Sequence, residues 1–237
     1  MWSYYGSKTN IVDYYPAPKF DKIIEPFAGA AKYSLKYFEK EVLLVDKYEV
    51  IVKIWKYLQC CSQKDILSMP RMLKKGQTLD DFIFDCEEQK MLMGFLIVKG
   101  AERPRKSSTD WVILDRPNFT NHLVKKIAND LYKIKHWKIE LDSYENIPNQ
   151  KATWFIDPPY QFGGHSYPKN NKKIDFNHLA NWSKERLGQT MVCENMKSNW
   201  LDFKPMKKHY GRKGIQEEGI WTNTPTIYDN IQQKLII

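Results

Sequence analysis

The stretch Trp154-Phe155-Ile156-Asp157-Pro158-Pro159-Tyr160 decides how the rest of this 237-residue chain is read. An apolar run ending abruptly in a carboxylate, two prolines and an aromatic ring reads as a buried strand that delivers a rigid polar corner. The prolines lock φ and bring no N–H, so the carbonyls of Asp157 and Pro158 meet no competing donor from the next residue. The corner can therefore only accept hydrogen bonds. A ring amine held by the Asp157 carboxylate and a backbone carbonyl would point its nitrogen lone pair outward, with Tyr160 able to stack on the ring face. An aryl amine such as a nucleobase is the implied substrate. The plainer reading is a Pro-Pro turn with Asp157 as a helix cap.

Outward from that strand, other apolar runs also end in acids. Lys22-Ile23-Ile24-Glu25 reads as a short strand entering Pro26-Phe27-Ala28-Gly29-Ala30-Ala31, and a helix is predicted through Tyr33, Leu35, Tyr37 and Phe38. Strand, small-residue turn and helix form the unit that sets a ligand against backbone at the carboxyl end of a parallel strand. With one glycine, the turn lacks the G-x-G-x-x-G pyrophosphate fingerprint, so the ligand need not be a dinucleotide. Val42 to Val45 form a second strand ending in Asp46, about twenty positions beyond the turn, where a ribose diol is commonly held. The alternative is an N-cap for the helix beginning near Tyr48; Glu25 and Phe27 favour the ribose. Ile51, Ile54, Trp55 and Leu58 recur at helical spacing and are assigned to the core. Lys138 to Asp142 is another strand, and Asp142 could accept from an exocyclic amine or close a turn with Ser143. Carboxyl ends of parallel strands share one edge, so Glu25 or Asp46, Asp142 and Asp157 are expected to converge on one cleft.

At the N-terminus, Tyr4-Tyr5-Gly6-Ser7-Lys8 leads into a short helical pattern that Pro16 ends, with Ser7 as cap and Lys8 in the first turn. From Cys60 to Asn121 the alternation of strand and helix stops. A helical pattern over Leu79 to Val98 precedes the loop from Lys99 to Thr109, and residues 59–121 read as an inserted, mainly helical subdomain between 1–58 and 122–237. Lys99, Arg103, Arg105, Lys106, Ser107 and Ser108 supply the groups that contact phosphates and base edges; a plain solvated loop is the alternative. A helix from Thr120 to Ile134 leads back to the strands. The polar stretch Gln161 to Lys173, with Gly163, Gly164, Lys172 and Lys173, either orders over substrate or is a simple loop, and His165 is left without a role. Asp175 is expected to cap a helix through Leu187 that Gly188 stops. Thr190 to Asn195, Trp221 to Asn223 and Ile227 to Ile237 complete the pattern, the last two as antiparallel strands.

Composition sets the limits. A chain 42% hydrophobic is long enough for one large core, and a formal charge of +9 favours a polyanionic partner. The four cysteines form no CxxC pair and the five histidines lack zinc spacing, so free thiols, a reducing compartment and no metal are expected. No apolar run approaches the ~20 residues of a membrane span, which points to a cytoplasmic protein with no membrane partner.

Taken together, Tyr5-Gly6-Ser7-Lys8, Glu25-Pro26-Phe27-Ala28-Gly29-Ala30, Asp46 and Asp157-Pro158-Pro159-Tyr160 resemble the Dam-like, D12-class DNA adenine-N6 methyltransferases of prokaryotes and phages. The segments Val192 to Asn195 and Ile220 to Asn223 look like those of phage-type members. The resemblance covers residues 1 to 58 and 138 to 223 and leaves the insert largely unmatched. It implies a Rossmann-like α/β methyltransferase sheet, S-adenosylmethionine as cofactor, double-stranded DNA as partner and a target-recognition role for 59–121; a cognate restriction endonuclease would be a further partner. The implied cofactor set is Tyr4, Tyr5, Lys8 (to the carboxylate), Glu25, Pro26, Phe27, Ala28, Gly29, Ala30, Asp46 (to the ribose), Lys47, Asp142, Ser143 and Asp157. The implied catalytic set is Asp157, Pro158, Pro159 and Tyr160, acting on a flipped-out adenine, with Lys172 and Lys173 joining the basic loop on DNA. One departure is visible: Ala31 stands where the family usually has a second glycine. Cytosine-N4 methylation and a non-catalytic DNA-binding subunit are the competing readings.

Overall fold

In the computed structural model, the described residues are 1–2, 4–70, 74–108, 119–169, 171–211 and 214–224. Thr109 and Asn170, at the end of one expected loop and within the other, and the tail strand expected over Ile227 to Ile237 lie outside these residues.

The acid-ended runs are strands. β1 (Lys22–Glu25), β2 (Glu41–Asp46), β3 (Lys138–Leu141), β4 (Ala152–Ile156) and β5 (Gly188–Asn195) run parallel, and β6 (Lys204–Gly211) and β7 (Gly214–Thr222) close the sheet. The strand order is β3-β2-β1-β4-β5-β7-β6, with β7 antiparallel to both neighbours. This is the Rossmann-like α/β sheet the sequence leads one to expect. Strands leave β1 on one side toward β3 and on the other toward β5, so the topological switch lies between β1 and β4, where a crevice opens.

Alternation along the strands divides two apolar layers. Ile23, Val42, Leu44 and Phe155 face one cluster, whereas Ile24, Leu43, Val45, Trp154 and Ile156 face the other. A parallel sheet needs cover on both faces. The first face is covered by α2 (Glu49–Cys60), which buries Ile51, Ile54, Trp55 and Leu58 as the spacing predicts, together with α4 (Glu87–Leu96) and α5 (Phe119–Asp130). The second is covered by α6 (Phe176–Lys184) through Leu179 and Trp182. The remaining helices are short: α1 (Lys32–Lys36) and α3 (Gln63–Ser68).

Where described, residues 59–121 carry α3, a 3-10 turn at Leu79–Asp81, α4 and connecting loops, and Leu79, Leu92, Phe95 and Leu96 join Trp2 and Trp55 in the same apolar cluster as the sheet. Several boundaries differ from expectation. The helix predicted from Leu79 begins at Glu87, because Thr78 and Asp81 close a capping box on a single 3-10 turn and Asp85 bonds Gln89 instead of continuing it. Ser7 does not cap a helix; its hydroxyl pairs with Thr9, and only a 3-10 turn forms, at Val12–Tyr14. Asp175 does cap α6, accepting from the Asn177 and His178 N–H groups, but the helix stops at Lys184 rather than Leu187. Among the described residues no helix is long and apolar enough to cross a membrane.

Candidate active site

A cavity of about 300 Å³ opens at the switch point, between the carboxyl ends of β1, β2 and β4. Its floor is the turn after β1. Gly29 and Ala31 both take left-handed backbone, φ 44 and 43, and Ala31 does so without glycine's freedom, at the position where the resemblance expects one. The turn is tied down: the Ala28 N–H reaches the Val45 carbonyl at 3.0 Å, the Trp55 indole reaches the Gly29 carbonyl at 2.9 Å, and the Gly29 N–H reaches Asp46 Oδ2 at 3.0 Å. A Cβ added at Gly29 would stand 3.1 Å from the Tyr4 ring, so this wall is closed to larger residues.

Three carboxyl groups border the cavity. Glu25, 2% exposed, accepts the Ser34 N–H at 2.7 Å, and burial pushes its carboxyl up to about 8. Asp46 accepts the N–H groups of Gly29 and Tyr48, which pull its carboxyl down, while burial dominates and raises it to about 6. It is not the cap of α2, whose N-cap is Tyr48. Asp157 is also held up at about 6, by burial first and against the pull of Lys8, with Glu218 adding to the rise.

Lys8 joins these groups. Its ammonium lies 2.6 Å from Asp157 Oδ1 and 3.6 Å from Glu218 Oε1, donates to the Gly6 carbonyl at 3.3 Å, and sits 4.7 Å from the centre of the Tyr160 ring. Burial alone would favour the neutral amine, but Asp157 and Glu218 reverse this and raise its pKa. Glu218 Oε1 also accepts the Tyr15 hydroxyl at 2.7 Å and, over a short bond, the Tyr160 hydroxyl. Burial, reinforced by the neighbouring acids, drives the Tyr160 and Tyr15 hydroxyls and the Cys193 thiol well above their ordinary values, so all three stay protonated.

The stretch after the corner folds back over it. Gly164 donates to the Tyr160 carbonyl at 3.0 Å, and a Cβ there would stand 2.8 Å from the Pro159 carbonyl carbon. Tyr167 packs edge-on to Tyr5, and its hydroxyl donates to the Tyr5 carbonyl at 2.8 Å. The segment thus crosses the cavity and contributes Tyr167, Lys169 and Lys173 to its lining.

The predicted cofactor set is largely gathered here: Tyr4, Tyr5, Lys8, Glu25 through Ala30, Asp46, Lys47 and Asp157 all line the cavity. Asp142 and Ser143 do not. Asp142 is exposed beyond β3, and its Oδ1 accepts the Ser143 N–H at 2.6 Å and the Asn146 amide at 2.7 Å. Of the corner, Asp157 and Pro159 line the cavity, Pro158 is buried behind it, and Tyr160 turns its hydroxyl toward Glu218. In the basic loop, Lys99, Arg103, Arg105, Lys106 and Ser107 are exposed. Arg105 pairs with Glu102 at 2.6 Å, Arg103 lies 3.7 Å from the same carboxylate, and Lys106 pairs with Asp80 at 2.9 Å. Ser108 donates inward to the Ile97 carbonyl. Lys172 and Lys173 stand exposed on a 3-10 turn.

The sequence pointed to no role for Glu218, Tyr15 or Tyr167, and Glu194 stood in a family-like segment without one. Glu218 carried one signal: an acid two positions before Ile220 shares that residue's inward face in a strand.

No family model matches the chain, and no curated protein matches it. Among solved structures the chain is similar to "Putative methyltransferase yhhF from Escherichia coli", at 8% identity and a TM-score of 0.36, over 84% of this chain and 74% of that one. At that similarity nothing about chemistry or substrate transfers between the two.

Proposed function

We propose that the protein is an S-adenosylmethionine-dependent DNA methyltransferase acting on N6 of an adenine flipped out of duplex DNA. The observation that carries this reading is the meeting, in one cavity at the β1/β4 switch, of the tied-down Glu25 to Ala31 turn with Asp157 and Pro159 of the acceptor corner.

The residues fit the cofactor. The cavity is of a size that takes small ligands. Each Asp46 oxygen holds one backbone N–H and keeps a lone pair for a ribose hydroxyl. Phe27 and Tyr144, 5.4 Å apart, give an aromatic wall suited to a flat base. S-adenosylmethionine, when bound, supplies an electrophilic methyl group on a sulfonium.

The chain's own part is positioning. An adenine leaves its stack at a cost of a few kcal/mol. Asp157 and the Pro158 carbonyl then accept its N6 protons and turn the nitrogen lone pair toward the methyl. Lys8 fixes Asp157 through Oδ1; among the described residues no hydrogen bond engages Oδ2, which is the oxygen left for the amine. With its carboxyl near 6, Asp157 is an acceptor from neutral pH upward. It need not be a strong base, and no cysteine nucleophile is required. The exposed Arg103, Arg105, Lys106, Lys172 and Lys173 and the formal charge of +9 suit a phosphate backbone.

Calorimetric titration with S-adenosylmethionine, followed by transfer of labelled methyl to unmethylated duplex DNA, tests the reading. Asp157→Ala is expected to transfer nothing. Near-normal turnover in that variant sinks the mechanism, and a methylated cytosine product would keep the mechanism while replacing the substrate.

A further inference from the structure

We infer that Glu218, on the last strand pair and 58 positions from Tyr160, is a positioning residue that anchors the Tyr160 ring beside the acceptor corner. The inference rests on the methyltransferase reading above. Glu218 is 3% exposed, and a buried carboxylate is costly unless donors surround it. Three surround this one: the hydroxyls of Tyr15 and Tyr160 and the Lys8 ammonium, from the N-terminal segment and the corner. A phenol hydroxyl donating to a buried, fixed acceptor oxygen makes a directional bond, so it restrains the ring.

The backbone one residue further on is held in the same way. Glu194, fully buried on β5, accepts the Gln161 N–H at 2.9 Å and the Trp200 indole N–H at 3.2 Å. In the β5/β7 ladder Asn195 pairs with Glu218 and Glu194 with Gly219, so the two acids stand on adjacent rungs. The antiparallel strands thus grip the corner at two consecutive residues, Tyr160 by its side chain and Gln161 by its main chain. A stabilising role alone would be met as well by apolar packing, which often equals or exceeds a buried ion pair in stability. What the carboxylate adds is a fixed orientation for the ring that stacks on the target base.

The test is a double-variant cycle on the full chain. Loss of ring orientation is expected to lower kcat in Glu218→Ala by about 10- to 100-fold, with KM for S-adenosylmethionine within about twofold of the parent. Glu218→Gln, whose amide oxygen still accepts the hydroxyls, is expected to stay within about threefold. Tyr160→Phe should fall as far as Glu218→Ala, and the double variant no further than the slower single. Additive losses, a loss confined to KM, or a Gln variant as slow as Ala overturns the inference. Should Glu218→Ala not fold, Tyr160→Phe alone decides: full turnover overturns the inference. If the parent transfers no methyl to DNA, the functional reading fails by itself. The anchor is then judged by denaturant unfolding of the Glu218→Ala and Tyr160→Phe cycle, where coupled midpoints support it and independent ones overturn it.

Discussion

Replacing Lys8 by methionine isolates the charge balance of the site. The Lys8 side chain is 6% exposed and holds Asp157 at 2.6 Å and Glu218 at 3.6 Å, so the variant leaves two buried carboxylates without their cation. Removing one partner of a buried pair costs about 3–5 kcal/mol, and because Asp157 retains 21% exposure the lower end, about 3 kcal/mol, is expected. For a chain of this length that corresponds to a fall in Tm of roughly 6–12 °C. The fall must depend on pH. Asp157 already sits at about 6 with Lys8 present, above its ordinary 3.8, and without the ammonium it rises further. A carboxyl raised in the folded state destabilises it progressively as pH climbs through the folded value, and does so hardly at all below the unfolded one. The gap between parent and variant should therefore be small near about pH 5 and full near about pH 8. Thermal melts of both proteins across that range read it directly. A gap that is the same at both ends, or a Tm unchanged at the alkaline end, would refute the picture of Lys8 as the buried counter-ion.

Other perturbations probe the rest of the site. Glu25, held at about 8 against an ordinary 4.5, binds a proton in the folded state between those values, so parent stability should decline as pH rises through that window. Glu25→Gln keeps the acceptor for the Ser34 N–H and removes the titration; melts should show a flatter profile and a gain of a few kcal/mol at the alkaline end, and an unaltered slope refutes the assignment. Gly164→Ala forces a methyl to within 2.8 Å of the Pro159 carbonyl carbon and should cut methyl transfer by about tenfold or more while shifting Tm little; full activity means the strap does not need to lie on the corner. Neutralising Arg103, Arg105 and Lys106 together should weaken duplex binding and flatten its salt dependence, as read by fluorescence anisotropy at several salt concentrations. Unchanged affinity and slope would remove the loop from the interface.

The parts of the molecule legible in the sequence are those set by local pattern. The apolar run before Asp157 belongs to a strand buried at each of its five positions, and the i, i+3, i+4, i+7 spacing in α2 gives its buried face. The rule that parallel strands end on one edge brought Glu25, Asp46 and Asp157 together on the cavity, whereas Asp142 stays exposed outside its lining, with Oδ1 bonded to its own turn. Local side-chain bonding also broke the long helix predicted from Leu79, because Thr78, Asp81 and Asp85 offer the backbone other partners. What was not legible was pairing across the chain. Glu218 meets Tyr15 over 203 positions and Tyr160 over 58, and nothing near any of the three signals the others. Lys8 was read as a partner for an external carboxylate, and the structure gives it two internal ones.

The measurement that bears most directly on the proposed function is the identity of the methylated nucleoside. Purified protein is incubated with unmethylated duplex DNA and S-adenosylmethionine, the DNA is digested, and the nucleosides are identified by mass spectrometry. N6-methyladenine, present with the parent and missing with Asp157→Ala, is the predicted result. DNA that carries no methyl group, although the protein binds S-adenosylmethionine, would contradict it.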